Sequence, residues 1–229
     1  MKSEQREKVL ILRKNHQLGY GQIAKQVKVS KSTLSRWLRD FPLTEERILE
    51  LRREGWSRGE AKRERFRQTM ARKRQVREEK IYTARVRRFK KISRSGLYIA
   101  GLMLYAGEGD KKSRGEIAFS NSDPELVRFF SLWMQKFMDI PLQKTRAQLH
   151  LYENMDIPEE ENFWKKALLL ASSQLCKSQI RPIKAGGFSY REPFRHGTCK
   201  LYFDSTEKKT ELMLSIKAFF GTYKGHLRV

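Results

Sequence analysis

The amino-acid sequence predicts an α+β protein in three parts: an all-α domain over residues 1–42, a long basic helical connector over 43–94, and a mixed domain over 95–229 with helices on one side of a mostly antiparallel sheet. Apolar residues in the first part recur at the three-and-four spacing of amphipathic helices. From Leu43 to Arg94 proline is absent, and Lys and Arg outnumber eight glutamates. Further on, alternating runs such as Thr145 to Tyr152 and Thr198 to Asp204 stand between helical stripes, the pattern of strands covered on one face. The net charge of +23 opposes compaction and calls for an anionic partner. No apolar run reaches the roughly 18 residues of a spanning helix, and MKSEQREK has no apolar signal core. Nucleic acid is therefore the expected partner rather than a membrane, and the expected location is cytoplasmic, at a bacterial nucleoid.

In the first part, Val9, Leu10 and Leu12 mark a helix ended by Gly19. A second runs from Tyr20 to Val27, and after Lys28-Val29-Ser30 a third runs from Lys31 to Arg39. Ile23, Val27, Val29, Leu34 and Trp37 form the shared apolar side, with small Ala24 at the crossing and Ser30 as N-cap. This spacing is that of a helix-turn-helix and resembles those of the resolvase and homeodomain-like families, with Lys28 in place of the usual turn glycine. Lys31, Ser32, Ser35, Arg36 and Arg39 fall on the outward side of the third helix, where Arg and Lys can bridge guanine O6 and N7 and Ser can reach phosphate or base edges. The bland alternative is a small helical bundle with a solvated basic face.

The connector should hold a helix over about 44–54, a break at Gly55 and Gly59, and a longer helix over about 58–92. Its apolar residues, among them Phe66, Met70, Val76, Ile81 and Phe89, give only a ragged stripe, so a coiled coil is not supported. Arg72-Lys73-Arg74, Arg85, Arg87, Arg88, Lys90 and Lys91 are dense enough to add non-specific affinity for phosphates; a solvated, charge-extended spacer would read the same way.

Leu97 to Lys112, LYIAGLMLYAGEGDKK, is an apolar helical run that ends in Gly107-Glu108-Gly109. Gly101, Leu104, Tyr105 and Glu108 share a face, so two such helices packed through a small-residue seam at Gly101 would bring their Glu108 carboxylates together, an arrangement able to hold a divalent ion. The segment resembles the signature helix of the LAGLIDADG homing endonucleases, in a variant ending in Gly-Glu-Gly. The order that follows, a strand over Gly115 to Asn121, then Asn-Ser-Asp-Pro opening an amphipathic helix, extends the resemblance over roughly residues 96–220, to a free-standing, single-motif bacterial branch. Met103 departs from the family's first tight-packing glycine, and Gly101 lies two residues off that register. The resemblance implies a LAGLIDADG-like α/β domain whose concave sheet lies on duplex DNA. If the protein cuts, it implies a homodimer paired through this helix with Glu108 as catalytic residue and magnesium ligand; Asp110, two residues on, is a candidate further ligand.

After Asp123-Pro124, Leu126, Phe129, Phe130, Trp133 and Phe137 form a core stripe. The strand from Thr145 turns Ala147, Leu149 and Leu151 inward and Arg146, Gln148, His150 and Tyr152 outward. A helix over about 159–170, a strand at Gln179 to Pro182, the strand from Thr198 and a last helix over about 207–220, burying Leu212, Ile216, Phe219 and Phe220, complete the domain. The free sheet face would present Arg146, Gln148, His150, Lys200 and Tyr202 to DNA; an ordinary solvated face would look alike. His196 and Cys199 offer two ligands where structural zinc takes four, and Cys176 and Cys199 read as reduced thiols. Two functions follow: a sequence-specific duplex DNA-binding protein of regulatory kind, or a magnesium-dependent endonuclease acting as a homodimer. A recombinase is disfavoured, since no Tyr or Ser nucleophile stands with clustered arginines.

Overall fold

The computed structural model describes residues 2–55, 58–182 and 196–223 and divides into two compact units, Met1–Lys91 and Ile92–Val229. Each mixes local signals with long-range anchors. No helix of the described residues is long and apolar enough to cross a membrane.

The first unit is all helical: α1 (Lys2–Lys14), α2 (Tyr20–Val27), α3 (Lys31–Trp37), α4 (Glu45–Arg53) and α5 (Arg58–Phe89). Side chains set the helix starts: Gln22 Oε1 accepts from Gly19 N at 2.8 Å, Ser30 Oγ from Thr33 N at 3.2 Å and Thr44 Oγ1 from Arg47 N at 3.3 Å. Lys28 ends α2 in the left-handed region (φ 53°, ψ 42°), so this lysine bears the strain that glycine would avoid. Val9, Tyr20, Ile23, Val27, Leu34 and Leu38 make one core. Leu43, Ile48, Leu51 and Ala61 make a second, between α4 and the start of α5.

The expected boundary at residue 42 falls inside this unit, because a buried ion pair crosses it. Arg13 is 2 % exposed and Glu64 fully buried. The Arg13 guanidinium donates to Glu64, to Phe41 O (2.7 Å) and to Leu18 O (2.8 Å), while Glu64 also accepts from Leu43 N (2.8 Å) and Arg67 (2.7 Å). The first turns of α5 are thus part of a folded body, not of a spacer.

The second unit runs α6 (Arg94–Glu108), β1 (Glu116–Asn121), α7 (Pro124–Phe137), β2 (Arg146–Tyr152), α8 (Ile157–Leu168), β3 (Leu175–Arg181), β4 (Thr198–Asp204) and α9 (Thr206–Tyr223). Asp123 caps α7 through Glu125 N at 2.8 Å, with Pro124 in its first turn. The four strands lie in the order β1-β4-β2-β3. Pairs β1–β4 and β4–β2 are antiparallel and β2–β3 is parallel, α8 supplying the crossover. β3 begins at Leu175, four residues before the expected start, because its pairing with β2 opens at Ala147↔Leu175.

One sheet face, with Ile117, Phe119, Ala147, Leu149, Leu151, Cys199 and Leu201, shares a core with Leu102, Tyr105, Phe130, Trp133, Met134, Trp164 and Leu212 from the helices. Two expected core positions differ. Leu126 is exposed and Val127 is buried in its place, and Phe220 is exposed because the last turns of α9 outrun the core.

The proposed dimer seam at Gly101 is also overturned. Gly101 is buried, and a Cβ there would collide with the Trp133 indole of the same unit. Trp133 Nε1 donates to Tyr98 O at 3.0 Å, which pins the ring across the glycine. The missing side chain at 101 makes room for an intramolecular ring, not for a second helix. Gly109 has a similar role, since a Cβ there would meet the ring of Tyr105.

Candidate nucleic-acid interface

Helix α3 is held by Leu34 and Leu38, both buried, and by half-buried Trp37. Its opposite side therefore faces solvent and carries Ser32 and Arg36, with Ser35 on the flank, while Lys31 stands in the first turn on the side of Leu34; all four are exposed. Arg39 is exposed too, but in the turn that follows, since α3 ends at Trp37. The Ser32 hydroxyl lies 2.9 Å from Ser30 Oγ. Among the described residues, Lys31, Arg36 and Arg39 have no carboxylate partner, so their charge is uncompensated.

The sheet gathers the second expected set on one face. Arg146 lies directly opposite Tyr202, and Gln148 opposite Lys200, with His150 next along β2. Here the charge is largely answered from within. Arg146 pairs with Asp204 at 2.9 Å and Lys200 with Glu116 at 2.8 Å, and both cations also lie over the Tyr202 ring, at 5.6 and 5.0 Å. Gln148 donates to Lys177 O at 3.1 Å. Tyr202 Oη sits 3.0 Å from Cys176 Sγ; burial and then that thiol push the phenol up to about 12. Burial, then the Arg181 and Lys200 charges, hold the His150 imidazole below its usual range, so it is neutral at pH 7. Solvent-accessible pairs of this kind contribute only about 0–1 kcal/mol, so an incoming phosphate could exchange for either carboxylate.

The foot of α6 is the third location. Glu108 is exposed and has no polar partner among the described residues. Asp110 instead serves the turn: its two carboxylate oxygens accept from Lys112 N (2.9 Å) and Ser113 N (3.3 Å), the first of which does most to hold its acid below the usual range. Lys111 folds back on Gly107 O at 3.1 Å. Among the described residues no group of three or more His, Cys, Asp or Glu is assembled. At the foot of α6, among the described residues, each chain thus offers a hard cation a single free carboxylate, where magnesium in protein sites takes one or two together with substrate oxygens. Because Asp110 is engaged, the residues of one chain do not fit a two-ion centre.

Sequence reasoning missed Lys209. It is 2 % exposed, and its ammonium donates to Tyr105 Oη (2.7 Å) and to Asp110 O, while Tyr105 Oη itself donates to Asp110 O (2.6 Å). Burial holds this lysine below its ordinary range. The signal was present, since Lys209, Leu212 and Ile216 share a helical face and a lysine inside an apolar stripe must be satisfied there. The cluster ties α9 to the turn after Glu108. The chain matches no known protein family, and neither a characterised protein nor a solved structure matches it.

Proposed function

We propose that this protein is a sequence-specific duplex DNA-binding protein, of regulatory kind, that combines a helix-turn-helix with a LAGLIDADG-like domain. The observation that carries the reading is the uncompensated charge at α3 and the turn after it, where Lys31, Arg36 and Arg39 are exposed and, among the described residues, free of carboxylates in a chain of net charge +23. A second helix that crosses the first and turns a basic, hydroxyl-bearing side to solvent has the form of a major-groove reader. The polar sheet face adds a second surface of matching chemistry, with Arg146, Gln148, His150, Lys200 and Tyr202 available for phosphates or base edges. Selection from a random duplex library should enrich a motif, and log affinity should fall with log salt by about 0.9 per phosphate contact. Arg36→Ala should weaken binding and relax preference at one base position by about 1–3 kcal/mol. No binding to any duplex at low salt would end the proposal.

The exposed, unpartnered carboxylate of Glu108 favours a second reading, a magnesium-dependent endonuclease. One free carboxylate at the foot of each α6 means that two copies would have to bring their Glu108 residues together. That pairing would use the open side of α6 near Ala100 and Gly107, since Gly101 is occupied by Trp133. Glu108→Gln keeps the shape and removes the charge that a hard cation requires. It should abolish magnesium-dependent cutting of the enriched site while affinity stays level or rises slightly. Absence of cutting by the wild type removes this reading and leaves the first intact.

A further inference from the structure

We propose that the distal half of α5 together with the turn that follows it, residues 75–91, is a phosphate-binding arm that lies along the nucleic-acid backbone beside the site read by α3; the inference rests on the duplex-binding reading above. The helix has two physically different halves. Ala61, Glu64 and Gln68 face the body of the first unit, and Gln68 Nε2 donates to Leu43 O at 2.5 Å. Arg74 makes the last such anchor, an ion pair with Asp40. Beyond it, only Val86 is even half-buried, and among the described residues no side chain from Gln75 to Lys91 has a hydrogen-bonded or ionic partner.

The composition of this free half is one-sided. Seven cations (Arg77, Lys80, Arg85, Arg87, Arg88, Lys90 and Lys91) stand against Glu78 and Glu79. At about 100° per residue, Lys62, Lys73, Lys80 and Arg87 line one side of α5, with Arg77 and Arg88 flanking them. All the acids of α5, Glu60, Glu64, Glu78 and Glu79, fall within the opposite third of the circumference. From Lys62 to Arg87 the acid-free side runs about 37 Å at 1.5 Å per residue.

Like-charged neighbours such as Lys73 and Arg77, Arg77 and Lys80, or Arg85 and Arg88 each weaken a free helix by a few tenths of a kcal/mol. Among the described residues no ion pair or hydrogen bond of these side chains offsets that repulsion, whereas a row of phosphates would. Among anionic partners the geometry favours nucleic acid over a lipid surface. A helix lying on an anionic membrane turns its apolar residues to the lipid and keeps its acids away from it, but Tyr82 and Phe89, seven residues apart on one side of α5, share that side with Glu78, and Val76 lies among the cations, four residues from Lys80.

The test uses the full-length protein, an enriched duplex and a salt series. Arg77→Gln, Lys80→Gln and Arg87→Gln together should lower the slope of log affinity against log salt by about 2–3, with the same base preference, since each lost phosphate contact removes about 0.9. Conversely, Ala84→Lys, exposed on the acid-free side with no acid three or four residues away, should steepen the slope by about 0.9. Amide exchange across 77–89 should slow when duplex is added. Wild-type-like slopes in both variants, with duplex binding intact, overturn the arm and leave the α3 reading standing; no binding by the wild type removes both. Should the triple variant fail to fold, the slope of the Lys variant decides by itself. If the triple variant loses binding to phosphatidylserine vesicles while its slope on DNA is unchanged, the partner is a membrane and the inference is wrong.

Discussion

Replacing Gly101 by alanine separates packing inside one unit from packing between two copies. The added Cβ would fall more than about 1 Å inside the 3.5–4.0 Å optimum for carbon contacts, against Cδ1, Cγ and Nε1 of Trp133. The indole cannot easily step aside. It is 3 % exposed, stacks on Tyr98 at 5.8 Å and on Phe130 at 5.7 Å, and is fixed by its bond to Tyr98 O. Relief therefore requires α6 and α7 to separate or the indole N–H to lose its acceptor. Overpacking costs about 1–3 kcal/mol, and an unsatisfied buried donor about 1–3 kcal/mol. The better helix propensity of alanine returns about 1 kcal/mol. Where both costs apply, the net expectation is a loss of about 1–5 kcal/mol, confined to the second unit. Urea unfolding followed by near-UV circular dichroism, which senses the packed aromatic cluster, measures it, with sedimentation run in parallel. An unchanged unfolding midpoint together with a change from dimer to monomer would refute the packing argument and return Gly101 to an intermolecular seam.

Other consequences are local to the first unit. Glu64→Ala leaves Arg13 buried without its counter-charge and Leu43 N without its acceptor, so the unit should lose about 3–5 kcal/mol in a thermal or urea melt; a loss below about 1 kcal/mol would mean that water or another group takes over. Lys28→Gly relieves about 1–2 kcal/mol of left-handed strain and loses about 0.5–1 kcal/mol to backbone entropy, for a net gain of up to about 1.5 kcal/mol. A destabilised Lys28→Gly protein would show that the lysine stem is packing there.

Much of this protein is decided by short-range chemistry that a sequence displays. The 3.6-residue spacing of Ile23 and Val27, the caps at Ser30 and Asp123, and the period-two alternation of Arg146–Tyr152 and Thr198–Asp204 fall where local hydrogen bonding and burial require them. The outward side of α3 follows in the same way for Ser32 and Arg36, which stand opposite Leu34 and Leu38, whereas Lys31 shares the side of those leucines and is exposed because it begins the helix. A periodicity, however, defines a face only to within about one position of rotation, which is why Val127 and not Leu126 is buried. It also says nothing about what lies opposite. That a ring at Trp133 covers Gly101, that Arg13 meets Glu64 across 51 residues, and that Arg146 meets Asp204 across 58 depends on how distant segments pack. The same is true of charge: Arg36 and Arg146 read alike in a sequence, yet one is left without a carboxylate and the other has one 2.9 Å away. Whether a residue is exposed can be set by its own helix or strand, but whether it is free to bind something else is set by its neighbours, and only the tertiary fold chooses those.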